Sequence, residues 1–240
     1  MAAMTARTVT DAVFGVITDW SRPLLTYYDD RTGERTELSG ATLGNWAAKT
    51  ANYLIDEIGV VSGDVVRVDL PEHWQTAGIL LGAWWAGADI RLGHDDAADE
   101  VVTFTGIDGI DDHPDADELV IASLDAFALP LRNLPPGVAD YGSVVRVHGD
   151  QFASSSQAGP ALETATVADV VAQAFSAAEH EGIGPNTRVL STREWHTPDG
   201  VLAHLLGPLV VGASLVHVSG ARPDALDARA ATEKADLILT

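Results

Sequence analysis

The stretch from Val65 to Leu92 admits few folds. Val65–Leu70 reads as a strand, Pro71 and His73 open a helix that runs through Trp85, Gly87 ends it, and Ala88–Leu92 reads as a second strand. Such a strand–helix–strand unit builds a parallel pair with a right-handed crossover. The helix carries Trp74, Leu80, Leu81, Trp84 and Trp85 on more than one side. A helix apolar around its circumference belongs between two surfaces. The tryptophans therefore read as core, the alternative being an exposed platform for a ligand or partner.

The same order recurs. A helix, Gly59 to Asp64, a strand, a helix, Ala86-Gly87-Ala88 and a strand are followed by a helix, Gly182 to Thr187, a strand, a helix, Val211-Gly212-Ala213 and a strand. Asp64 to Ala88 spans 24 positions and Thr187 to Ala213 spans 26. A recurrence after about 120 residues predicts two related α/β halves rather than a solenoid. The fold class is thus α/β, with two mostly parallel βα halves: residues 1–150, carrying an N-terminal helix and hairpin, and residues 151–240 after a Ser-rich loop. A crevice between two such halves is a natural ligand site.

Around this frame, residues 8–20 have helical spacing of Val13, Phe14, Ile17 and Trp20, and Pro23 ends the run. Leu24–Tyr28 and Arg35–Leu38 read as a hairpin about Asp29-Asp30-Arg31-Thr32-Gly33. Ser39 caps a helix from Gly40 to Ile58, closed by Gly59. Val101–Thr105, Leu119–Leu124 and Val144–Val147 read as strands. Later come helices over Val167–His180, Pro198–Val211 and Pro223–Thr232, and strands over Arg188–Ser191, Ala213–Val218 and Asp236–Thr240.

Charge narrows the function. A net charge of −21 disfavours nucleic acid and anionic membranes as partners, since both attract basic surfaces. Cysteine is absent, which excludes disulfides and thiolate chemistry. The N-terminus lacks the apolar core of a signal peptide, no run reaches the length of a membrane helix, and a cytoplasmic location is expected. Only Lys49 and Lys234 are lysines, and neither is close in sequence to a glycine-rich loop.

That scarcity bears on Val144–Pro160. An apolar run there leads into Ser154, Ser155, Ser156, Gln157, Ala158, Gly159 and Pro160. A Ser/Gly loop after a strand can converge N–H groups and hydroxyls on a phosphate. This loop has one glycine and no lysine.

Residues 24–43, 59–90 and 182–218 resemble, in order, the N-terminal domain of the adenylate-forming superfamily, which includes acyl-CoA synthetases, peptide-synthetase adenylation domains and luciferases. Within it, the chain is similar to a group of short actinobacterial proteins that lack the phosphate loop and the C-terminal domain. The resemblance covers most of this chain and about the first half of a typical member. It implies that Ser154, Ser155, Ser156 and Gly159 are the remnant of a phosphate loop that in active members ends in Lys-Gly. It also implies that Trp195-His196-Thr197-Pro198-Asp199-Gly200 matches, with one extra residue, an aromatic-His-x-x-Gly segment lining the acyl pocket. Trp195, His196, Asp199 and Gly200 are the ligand-binding candidates on that ground, the alternative being a helix cap at Thr197 or Asp199 beside a packed Trp195.

The adenine and ribose motifs and the lid with its catalytic lysine have no counterpart, so the resemblance implies a protein without stand-alone adenylation and no catalytic residue is assigned. ATP or AMP, or an acyl compound, is the ligand class implied. The alternatives are an interaction or homo-oligomeric module, because the surface a second half covers would be exposed, and a ligase active only with a lysine-bearing partner. His94-Asp95-Asp96 with Asp99-Glu100, and Asp111-Asp112-His113 with Asp115 and Asp117, read as solvated acidic loops, with no metal expected. His148 and His217 read as core histidines, Gly106–Gly109 as a turn, and the lack of a G-x-S-x-G elbow argues against a serine hydrolase.

Overall fold

A computed structural model describes residues 6–94, 99–154 and 159–240. Thr8 caps α1 (Val9–Phe14), with its hydroxyl accepting from Asp11 N. The strands β1 (Pro23–Asp29) and β2 (Glu34–Ser39) form the expected antiparallel hairpin. Ser39 then caps α2 (Gly40–Tyr53), which runs through a π turn over Leu54–Ile58 to a left-handed Gly59. The βαβ unit follows as β3 (Val65–Asp69), α3 (Trp74–Ala86) and β4 (Asp89–Leu92).

Next come β5 (Glu100–Thr105), a 3₁₀ turn over Ile107–Asp112, β6 (Leu119–Ile121), β7 (Val138–Asp140) and α4 (Tyr141–Arg146). A small hairpin of β8 (Pro160–Leu162) and β9 (Ala165–Thr166) leads into α5 (Val167–His180), which opens on a capping box of Thr166 and Asp169. After β10 (Arg188–Ser191), α6 (Pro198–Gly200) continues through a π turn over Val201–Leu206 into α7 (Gly207–Val210). Then β11 (Ser214–Ser219), α8 (Leu226–Glu233) and β12 (Leu237–Leu239) complete the order.

Among the described residues there are two sheets. One has the order β7-β6-β5-β3-β4-β8-β9 and the other β12-β10-β11-β1-β2, each parallel except for its hairpin. The sheets do not divide the chain at residue 150: the N-terminal hairpin joins the sheet of β10–β12, and β8 and β9 extend the other one. The helix α3 packs on β1 of one sheet and on β3 and β4 of the other, and every residue of it but Trp85 is buried. Trp74 and Trp84 are core, as their spacing indicates, and Trp84 Nε1 donates to Ala161 O at 2.7 Å.

The repeat survives at the level of single hydrogen bonds. Gly63 N donates to Gly87 O, and Asn186 N to Gly212 O. Asp89 N donates to Asp64 O, and Ser214 N to Thr187 O. Both second helices end alike, with Ala88 N on Ala83 O and Ala213 N on Pro208 O, at a glycine of positive φ.

Three expectations are corrected. Val144–Val147 is no strand: the carboxylate of Asp140 accepts from Ser143 N and starts α4, Tyr141 is buried with its hydroxyl 3.0 Å from Thr50 Oγ1, and Val145 enters the core while Val147 stays 79% exposed. The strand at this place is the shorter β7. The first helix stops at Phe14 rather than at residue 20, where Gly15 N closes on Asp11 O. The run Leu119–Leu124 pairs only to Ile121, and Leu124 adopts a positive φ.

The crossing of α2 and α3 is too close for any side chain at Gly82. A Cβ there would meet Thr50 Cβ at 2.4 Å and Ala47 O at 2.8 Å. Gly82→Ala, although it raises helix propensity, is expected to cost about 1–3 kcal/mol by overpacking, read as a lower urea midpoint. An unchanged or higher midpoint would contradict this contact.

Candidate functional site

The two strand-to-helix turns of the repeat meet. At the exit of β3, His73 caps α3, its Nδ1 accepting from Gln75 N at 3.2 Å. At the exit of β10, Thr197 caps α6, its hydroxyl accepting from Gly200 N at 3.2 Å, with Pro198 in the first helical turn. The residues just before the two caps, Glu72 and His196, touch: Glu72 Oε1 lies 2.7 Å from His196 Nδ1 and also accepts from Trp195 N at 2.8 Å. This link sits at the carboxyl ends of parallel strands, where α/β proteins hold ligands.

Behind it runs a buried line of rings. Trp195, 1% exposed, donates from Nε1 to His217 Nδ1 at 3.1 Å. His217 on β11 stacks on Tyr27 of β1, with centroids 6.1 Å apart, and Tyr27 meets His73 edge-on at 4.6 Å. Burial pushes the Tyr27 phenol up to about 12 and the His217 imidazole down to about 4. Burial alone would raise the Glu72 carboxyl, but hydrogen bonds from its own backbone, His196 and Trp195 N hold it below the usual glutamate range.

The proton positions limit the chemistry. Because His217 Nδ1 accepts from Trp195, its proton lies on Nε2, which faces Ser219 Oγ at 3.3 Å. An imidazole arranged this way cannot take a proton from that serine, so the pair is no hydrolase dyad. Glu72 is an ionised carboxylate spent on orienting the Trp195–His196 turn.

Of the four ligand candidates, Trp195 is packed in the core and His196 is partly exposed on Glu72. Asp199 and Gly200 line an open cleft of about 590 Å³ together with Thr192, Arg193, Thr197 and His204. Both features of the alternative, the Thr197 cap and the packed Trp195, are also present. Gly200 has its own packing reason, since a Cβ there would come within 2.7 Å of Glu194 O. In the same cleft, buried His204 Nδ1 has no hydrogen-bond partner among the described residues, and burial lowers the pKa of its ring.

The flanks of the serine loop lie elsewhere. Ser155 and Ser156 fall outside the described residues. Ser154 and Gly159 frame them, and Gly159 O accepts from Val167 N at 3.0 Å. The flanks are bound to the far end of α3, through Phe152 on the Trp85 ring and Ala161 on Trp84. Helical rise puts about 15 Å between Trp74 and Trp84. The flanks of the serine segment and the Trp195–Gly200 turn therefore sit at opposite ends of one helix. Lys49, distant from the loop in sequence, stands at its root in space, with Nζ donating to His148 O at 2.6 Å. His148 itself is a half-buried ring paired with Glu57.

Sequence reasoning missed Glu72, Arg193 and His204. Superposing the two repeat units would have found Glu72, because it precedes one helix cap as His196 precedes the other.

The buried His217 makes stability depend on pH. The folded state holds it neutral, whereas an unfolded histidine takes up a proton below about 6.5. With its folded pKa depressed, its full contribution is present above that value and is lost as pH falls from about 6.5 toward 4. His217→Gln, which keeps an acceptor for Trp195, is expected to flatten the slope of urea midpoint against pH in that window. Equal slopes in both proteins would remove His217 as the cause.

No family model matches the chain. Among solved structures it is similar to an acyl-CoA synthetase of Brucella canis (TM-score 0.77, 18% identity, 98% of this chain and 47% of that one). It is also similar to an anthranilate CoA ligase, AuaEII, in complex with anthranoyl-AMP (TM-score 0.75, 14% identity, 99% and 51%). A third likeness is the N-terminal domain of FACL13 from Mycobacterium tuberculosis (TM-score 0.69, 15% identity, 97% and 62%). The chain thus has the fold of the N-terminal part of adenylate-forming enzymes and spans about half the length of the synthetases it matches. In sequence it is 43% identical over 229 residues to a TIGR03089 family protein of Mycobacterium tuberculosis, covering 90% of this chain and 91% of that protein. The chain belongs to the TIGR03089 family.

Proposed function

We propose that this protein binds a small acyl compound, a short carboxylic acid or its adenylate, in the cleft at the carboxyl end of β10, and does not itself complete adenylation. The observation that carries the reading is the cation count around that cleft. Arg193 is the one cation among its described lining residues, beside the carboxylates of Glu194 and Asp199, and it is already shared with Glu181 at 2.6 Å. One guanidinium suits a carboxylate; a triphosphate needs several converging donors and positive charge. Neither lysine supplies them: Lys49 is bonded at the root of the serine segment, and Lys234 closes α8 in a left-handed conformation. The solved anthranilate CoA ligase, with its bound anthranoyl-AMP, supports the acyl-adenylate class.

Calorimetric titration with short aliphatic and aromatic carboxylates, a non-hydrolysable acyl-adenylate, AMP and ATP tests this. Expected are saturable binding of an acyl compound, weaker or no binding of ATP, and about a tenfold or greater loss in Arg193→Ala, the scale of one charged hydrogen bond. Absence of binding by every compound would overturn the reading. Pyrophosphate release from ATP by the isolated chain would overturn its non-catalytic part.

A second reading, self-association, draws on one apolar patch. Phe127 is 73% exposed and Leu129 56%. Arg146 ties this loop to α4 by donating to Phe127 O and Ala128 O, which holds the patch in place. Light scattering of wild type and Phe127→Ser tests it: a dimer that the substitution dissociates supports the patch, and a wild-type monomer excludes it.

A further inference from the structure

We propose that Asp69, His94 and His113 form a binding site for a divalent transition-metal ion such as Zn²⁺. The three residues are far apart in sequence and come from three neighbouring strand exits. Asp69 ends β3, His94 follows β4, and His113 follows the 3₁₀ turn after β5. In the sheet, β3 lies between β5 and β4. The chain leaves β3 for β4 on one side and returns with β5 on the other. The carboxyl end of β3 is therefore a switch point of the topology, the place where open α/β sheets leave a crevice.

The donors are close enough to share an ion. His113 Nε2 lies 3.0 Å from Asp69 Oδ2, the His94 and His113 rings have centroids 5.1 Å apart, and a ligand atom of each residue lies within 4.8 Å of the other two. Bonds of about 2.0–2.2 Å to zinc in a tetrahedral site place neighbouring donors roughly 3.3–3.6 Å apart. The Asp69–His113 pair, at 3.0 Å, needs to open only slightly to reach that spacing. Binding of an ion would have to draw the exposed His94 imidazole in toward the other two donors.

The surroundings support a built site. The His113 side chain is only 4% exposed, which sets its ring on Asp69. Gly93, just before His94, has both backbone groups fixed to β3: its N–H donates to Val68 O at 3.1 Å, and its carbonyl accepts from Arg67 Nη1 at 2.8 Å. Arg67 is itself buried and held by Glu100. Two imidazoles and a carboxylate are a donor set for zinc, nickel or iron(II) rather than for calcium or magnesium, and three protein donors leave a position for water.

Titration of the full-length chain, stripped of metal, with ZnCl₂ tests the site. Expected is one-to-one binding with Kd below about 10 µM. His94→Ala and Asp69→Asn should each weaken it by about tenfold or more, while His180→Ala, at the end of α5, should not change it. Millimolar Mg²⁺ or Ca²⁺ should not displace the zinc. Because His94 is exposed, its removal tests the site without endangering the fold; circular dichroism confirms this for Asp69→Asn. Absence of one-to-one binding, retained affinity in both variants, or displacement by Mg²⁺ would each overturn the proposal.

Discussion

Burial of α3 on all sides is the constraint from which the architecture follows. A helix that offers apolar groups around its whole circumference needs a surface on each side, and here those surfaces are α2 and α1 together with strands of both sheets. One sheet cannot be assembled without the other's helix, so the two repeat units share a single interior. The main apolar cluster runs from Val9 to Leu239 and contains residues of both sheets. A second contribution is electrostatic: buried Glu233 on α8 accepts from Tyr28, Arg35 and Arg188, joining β1, β2 and β10 from outside that cluster.

The same constraint explains where the polar groups meet. Two units built on one plan, packed against shared helices, bring equivalent turns face to face. Glu72 and His196 occupy matching places before their helix caps, and one has become an acid and the other a base. The bond between them is thus a seam between the halves of the repeat. The cleft beside it is lined by the second unit alone, and the imidazole pair with Asp69 belongs to the first. The two carboxyl edges thus carry different chemistry.

Much of this was legible in the chain itself. The βαβ units, their glycine stops and the caps at Ser39 and Thr197 follow from local rules, because each is set by residues within one turn of its neighbours. The failures come where a cap or a distant contact outweighs side-chain preference. Val144–Val147 carries the side chains of a strand, yet Asp140 caps a helix there and Tyr141 finds Thr50 some ninety residues away. Valine preference is worth less than a filled cap and a buried ring. The short strands β7, β8 and β9 have too few residues to show a period. The site was half legible. Trp195, His196, Asp199 and Gly200 were marked by resemblance, whereas Glu72 looked like one more acidic residue and the His94–Asp69–His113 grouping needs three strand exits to be placed first.

The pairing of β1 with β11 has a consequence for how the chain is made. Leu25 lies opposite Leu215, and Asp29 opposite Ser219. The hairpin of β1 and β2 leaves the ribosome well before the strand it must lie against, which follows much later in the chain. Until then its inner edge presents unpaired N–H and C=O groups, the kind of template that recruits other chains. Folding of that sheet is therefore a late, long-range closure and falls in the slow class of high contact order. During that interval the strong acidity of the chain, −21 in net charge, acts as protection by keeping nascent chains apart.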